Sequence, residues 1–101
     1  MAEKRFLAAI SVDALEDYQT LAFNIQEARK SRGFSQREMA ERCLMSLATY
    51  QAIEQASTTV SMGAILAVLD TLELTAALRE VAAPHLDVDG RRLRAARRVR
   101  R

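Results

Sequence analysis

The chain has little of what staples or punctuates a small protein. Of its 101 residues only one is cysteine, Cys43, so no disulfide can form within one chain. Set between Arg42 and Leu44, that cysteine reads as a small buried hydrophobe, and a reducing cytoplasm suits it. There is one histidine, His85, beside the single proline, Pro84. A zinc site needs about four ligands, so no metal residues are expected. Glycine-rich phosphate loops and nucleophile–base pairs at recognisable spacing are missing. No catalytic residue, no cofactor and no enzymatic activity are therefore expected. Long apolar runs are missing too. Phe6 to Ile10 is too short for a signal-peptide core, and no other run approaches membrane-spanning length. The expected location is cytoplasmic and nucleoid-associated, with no membrane partner. Alternating β-branched residues are absent apart from "RFLAAISV", which is expected to form a short extended piece.

What is present is an apolar half, enough for one domain with a core. The formal net charge of +2 conceals a division. Residues 1–90 hold 8 Lys+Arg against 13 Asp+Glu. Residues 91–101, "RRLRAARRVRR", hold 7 arginines and no acid. An acidic body thus carries a basic end made of arginine alone, the better bidentate partner for phosphate or carboxylate. Arg91, Arg92, Arg94, Arg97, Arg98, Arg100 and Arg101 are read as a binding arm, disordered or conditionally ordered, rather than as a solvated tail.

Elsewhere the periodicity is helical. Leu15, Tyr18, Leu21, Ile25 and Ala28 mark one face of a first helix, or of two short helices in series, ending at "KSRGF" with Gly33 as left-handed cap. "SQRE", residues 35–38, is a capping box opening a second helix that runs to about Cys43 and buries Met39 and Ala40. Ser46 caps a third, with Tyr50 and Ile53 inward. Ser61 caps a fourth, "MGAILAVLDTLEL", apolar on more than one side, so that a partner subunit is a candidate for its second cover. "TAALREVA" is expected as a fifth helix that adds Leu78 and Val81 to the core. The fold class is all-α, a compact five-helix helix-turn-helix domain over residues 20–83. Residues 1–19 form an extension and the start of helix 1, and residues 84–101 a loop and the arm.

This order of motifs resembles the Cro/C1-type (XRE-like) helix-turn-helix family, whose fold is lambda-repressor-like. The matching residues are Ile25 and Arg29, Ser35-Gln36, Met39-Ala40, Ser46, Ile53-Glu54 and "ILAVLDTLEL", within about residues 20–75. Within it, "TVSMGAILAVLDTLEL" is similar to Hip-type antitoxins. That resemblance implies a homodimer on a palindromic double-stranded DNA operator, repression of its own operon, and a HipA-like kinase toxin as partner. A free-standing phage-type repressor is the alternative within the family. Two departures stand out: Leu44 and Ala56 occupy positions where the family usually has glycine. A β-carbon in left-handed backbone costs about 1 kcal/mol.

The candidate DNA-binding residues follow from these placements. The resemblance implies that Gln36 bonds a phosphate and braces the third helix. Arg37 and Arg42 on the second helix are further phosphate anchors, or surface partners of Glu38 or Glu41. On the third helix Gln51 and Gln55 are the polar groups, and a glutamine can pair with adenine in the major groove. Leu47, Ala48 and Ala52 are suited to thymine methyls, or to another protein. Ser46, Thr49, Thr58 and Thr59 offer hydroxyls to phosphates, or simply cap. The resemblance implies that Glu54 pairs with Arg29 inside the domain rather than with a base. A helix-turn-helix scaffold that has become a protein-interaction adaptor is the reading of a different class.

Overall fold

A computed structural model describes the backbone of residues 2–100, and the side chains of residues 4–98. Five α-helices account for most of it: α1 Val12–Ser31, α2 Gln36–Arg42, α3 Leu47–Glu54, α4 Met62–Thr71 and α5 Val88–Arg100. Three shorter 3-10 segments lie at Ala2–Ala9, Ala76–Glu80 and Pro84–Leu86. The all-α class expected from the sequence is present.

Each of the first four helices starts on a serine whose hydroxyl accepts a backbone amide three residues on. The pairs are Ser11 with Ala14, Ser35 with Glu38, Ser46 with Thr49 and Ser61 with Ala64. At Ser35 the capping box is complete, because Glu38 Oε1 also accepts the Ser35 amide at 2.9 Å. These bonds hold the Glu38 carboxyl below its usual range. The helices end where the backbone turns left-handed. Gly33 has φ +73° after α1, with open space where a Cβ would stand, so it is the conformation and not crowding that calls for glycine there.

The core gathers one face of each of the first four helices. Met39, Tyr50, Ile53, Val68 and Leu72 are fully buried, and Ile25, Ala40, Ile65 and Leu69 close around them. Arg32 ties two helix ends together by donating to the Ala28 carbonyl at 2.8 Å and the Leu72 carbonyl at 2.9 Å. Beside α4 an open apolar groove of 370 Å³ runs between Tyr18, Leu21, Ile65, Leu69, Leu78 and Val81. The second cover expected for helix 4 is thus only partly supplied within the chain.

Three expectations are corrected and one alternative is decided. "RFLAAISV" is not extended: Ala2–Ala9 forms 3-10 turns, broken at Lys4, and Ser11 serves as the cap of α1. Of the two forms open to helix 1, the single helix is present, with 20 residues. "TAALREVA" forms only the 3-10 turn Ala76–Glu80, which buries Leu78 partly and leaves Val81 72% exposed. Left-handed residues bound the segment on either side, Glu73 (φ 61°) and Ala82 (φ 62°), and Thr75 makes no side-chain cap bond of the kind that starts the first four helices. Finally, the arm is a helix rather than loop or coil. Asp87 starts α5 by accepting the Gly90 amide at 3.0 Å, and arginine and alanine are strong helix formers.

Candidate nucleic-acid interface

The third helix is held from below by an ion pair. Arg29 on α1 donates through Nε to Glu54 Oε2 at 2.7 Å and through Nη2 to Glu54 Oε1 at 3.2 Å. Its Nη1 reaches the Phe34 carbonyl at 2.8 Å, which fixes the α1–α2 turn with the same guanidinium. Tyr50 donates its hydroxyl to Glu54 as well. Both charged side chains are buried, at 9% and 4% exposure. Burial alone would raise the Glu54 pKa, but the bonds from Arg29, Tyr50 and Gln36 outweigh it and the net shift is downward. The hydrogen bond to Glu54 raises Arg29 further above its ordinary value. Burial, and then the neighbouring carboxylate, raise Tyr50.

From this buried pair a chain of amides leads to the surface. Gln36 at the start of α2 donates Nε2 to Glu54 Oε1 at 3.0 Å. Gln51 on α3 donates Nε2 to Gln36 Oε1 at 3.1 Å. The pairing expected for Glu54 is therefore present, and Gln36 is joined to it and to the third helix. Gln36 and Gln51, both half-buried, are thus one hydrogen-bonded unit. Each side-chain nitrogen in it has a second hydrogen, and the Gln51 carbonyl points away from its own donor bond.

The other candidates fall into two groups. Ala48 and Gln55 are exposed, while Leu47, Thr49 and Ala52 are half-buried, so the outward apolar face of α3 is narrower than its sequence suggested. Ser46 donates its hydroxyl to Thr49 Oγ1 at 2.9 Å, so these two hydroxyls serve the cap together. Arg37 is exposed on α2. Thr58 is half-buried beside Phe6, Ile10 and Tyr18, under the N-terminal segment, whereas Thr59 is exposed beyond α3. The arginines of α5 at 91, 92, 94, 97 and 98 are all exposed. The Arg100 side chain and Arg101 lie outside the described residues.

One residue of this surface was not among the sequence candidates. Leu44, in the turn between α2 and α3, has φ 55° and is 94% exposed. The sequence did carry a signal: a leucine stands in the turn position where the family usually has glycine. Ala56, with φ 56°, makes the equivalent turn after α3.

A short helix, a tight left-handed turn and a second capped helix braced from beneath make a helix-turn-helix, and the family model of the helix-turn-helix domain matches residues 20–82. The chain belongs to that family. DNA binding and transcription regulation go with this membership, and it agrees with the XRE-like resemblance read from the motifs. Neither a curated protein nor a solved structure matches this helix-turn-helix chain. Among its described residues, no helix is long and apolar enough to cross a membrane.

Proposed function

We propose that this protein is a sequence-specific repressor that reads a palindromic operator as a homodimer. The observation that carries the reading is the Arg29–Glu54–Gln36–Gln51 chain, because it orients a base-reading amide from a buried, fully bonded anchor. Pre-setting a side chain in this way removes the entropy cost of ordering it on the DNA. Gln51 and Gln55 read base edges, Ala48, Ala52 and Leu47 meet thymine methyls, and Arg37 and Thr59 take phosphates. The arginines of α5 supply the attraction that the acidic body lacks. Two copies present α3 to successive major grooves, roughly 34 Å apart. The open groove beside α4 supports self-association. A gel-shift titration with the DNA upstream of its own reading frame tests the proposal. Equal affinity for that DNA and for a scrambled duplex sinks it.

Within this reading, the protein is the antitoxin and autoregulator of an operon with a HipA-like kinase toxin. The support is the resemblance of "TVSMGAILAVLDTLEL" to Hip-type antitoxins. Co-expression with the adjacent reading frame tests it: a kinase-like neighbour should copurify in stable stoichiometry. A neighbour with no kinase fold leaves a free-standing phage-type repressor instead.

A second reading is favoured by one observation, the 94% exposed Leu44 beside Ala48 at the start of α3. An apolar tip there suits a protein-interaction adaptor on the same scaffold. In that case DNA binding is absent, or follows α5 charge without sequence preference.

A further inference from the structure

We infer that the outer face of α1 is the seat for α5 of a second copy, in parallel orientation. The core face of α1 is made of Tyr18, Leu21, Ala22 and Ile25. Its opposite face is bare, and at helical spacing it carries Val12, Glu16, Gln19 and Phe23 in one line. Val12 is 70% exposed and Phe23 57%, a large apolar cost to leave in water on one helix. Acids flank this line at Asp13, Asp17 and Glu27.

Helix α5 carries the complement. Val88, Arg92 and Ala95 repeat the same spacing of four and three, and all are exposed. Set parallel and in register, Val88 meets Val12, Arg92 meets Glu16 and Ala95 meets Gln19. Phe23 falls opposite position 99, one turn beyond Ala95. In a parallel pair the flank on one side of the first seam adjoins the opposite flank of the second. That sets Arg91 and Arg98 on the side of Asp13 and Glu27. An antiparallel pair would put those arginines on the side without acids.

The two helices belong to different copies. Within one chain the main neighbour of α5 is the Pro84–Leu86 turn, where Arg91 also donates to the His85 carbonyl at 3.3 Å, and residues 91–98 are exposed throughout. The pairs that now hold these groups are weak and solvent-exposed: Arg92 with Asp89 at 3.5 Å and Lys30 with Glu27 at 3.9 Å. Exchange of α5 between two copies makes the contact twice in a twofold dimer. It also sets DNA and α1 in competition for the same arginines. This inference rests on the homodimer of the proposed function and names one of its contacts.

Sedimentation equilibrium for mass and sedimentation velocity for shape, on the full chain without DNA, test it at about 50 mM and about 500 mM salt. The expected result is a dimer that weakens with salt. Glu16→Arg and Arg92→Glu should each weaken it about tenfold at low salt, and the double variant should recover most of that loss. Circular dichroism serves as the folding control, since both positions are exposed. A dimer indifferent to both changes overturns this contact but leaves the homodimer standing. A monomer at every concentration overturns both. Salt-dependent compaction without a change in mass also overturns it, because α5 would then be seated on its own α1.

Discussion

At Glu54 two functions meet in one carboxylate: it neutralises a buried arginine and it holds the first of two linked amides. Removing it strands the Arg29 charge in the core. Glu54→Ala should therefore cost about 3–5 kcal/mol in urea denaturation, against total stabilities of about 5–15 kcal/mol for such domains. Because the folded-state pKa of Glu54 is lowered, its stabilising effect is complete above the ordinary carboxylate value of 4.5 and is lost as pH falls through the folded value. Unfolding measured between neutral pH and the acid side of that value should show a smaller acid loss in Glu54→Gln than in the parent chain. Parallel curves would assign the acid sensitivity to other carboxylates. Leu44 presents the reverse case, an apolar side chain that buries almost nothing in a backbone conformation that penalises it. Leu44→Gly relieves roughly 1–2 kcal/mol of strain and concedes about 0.4–1 kcal/mol of chain entropy. A net gain of between about 0 and about 1.6 kcal/mol is expected by the same urea measurement. A loss would mean that the exposed leucine packs on something in the folded state, such as a partner.

At the scale of the element, α3 is a short helix whose orientation is set from outside itself. Its 8 residues are too few to be stable alone, so Ser46 at one end and the Tyr50–Glu54–Arg29 anchor below hold it. If Gln51 reads a base, Gln51→Ala should weaken operator binding by about 1–3 kcal/mol. Gln36→Ala should reproduce part of that loss, and the double variant should fall short of the sum, since both act through one hydrogen-bonded unit. Strict additivity in gel-shift titrations would separate the two residues. Helix α5 depends on its cap in a similar way. Asp87→Ala removes the bond to the Gly90 amide, and a capping loss of about 1 kcal/mol on an isolated 13-residue helix should lower its helicity in circular dichroism.

The whole molecule is elongated. Its radius of gyration is 17.3 Å, against about 13 Å expected for a compact chain of 100 residues. The excess lies in the segments that stand off the four-helix core, α5 foremost, a rod roughly 20 Å long. Charge is divided along the same line, with the acidic body on one side and the arginines on the other. Deleting residues 91–101 should therefore reduce the salt dependence of DNA binding by about 0.9 in log–log slope for each arginine that contacts phosphate. An unchanged slope would leave α5 to protein contacts alone.

The sequence by itself determined the serine caps of α2, α3 and α4, the inward faces of the first four helices and the helix-turn-helix order. All of these are local: a hydroxyl reaches its own helix start, and periodicity shows on which side a helix is apolar. The Arg29–Glu54 pair was legible through the family pattern, although its partners lie 25 residues apart. Tertiary structure alone decided that Gln36 and Gln51, 15 residues apart, share a hydrogen bond. Only the crossing of α2 over α3 brings their amides together, and a polar residue on a helix surface carries no mark of its long-range partner. The same holds for the narrow outward face of α3, because neighbouring elements half-bury Leu47 and Ala52. Helix α5 was written in its composition all along, in arginine, alanine and an acidic cap. Reading that stretch as charge first, a repelling run in need of a partner, concealed its helical propensity, and the backbone conformation settled which of the two prevails.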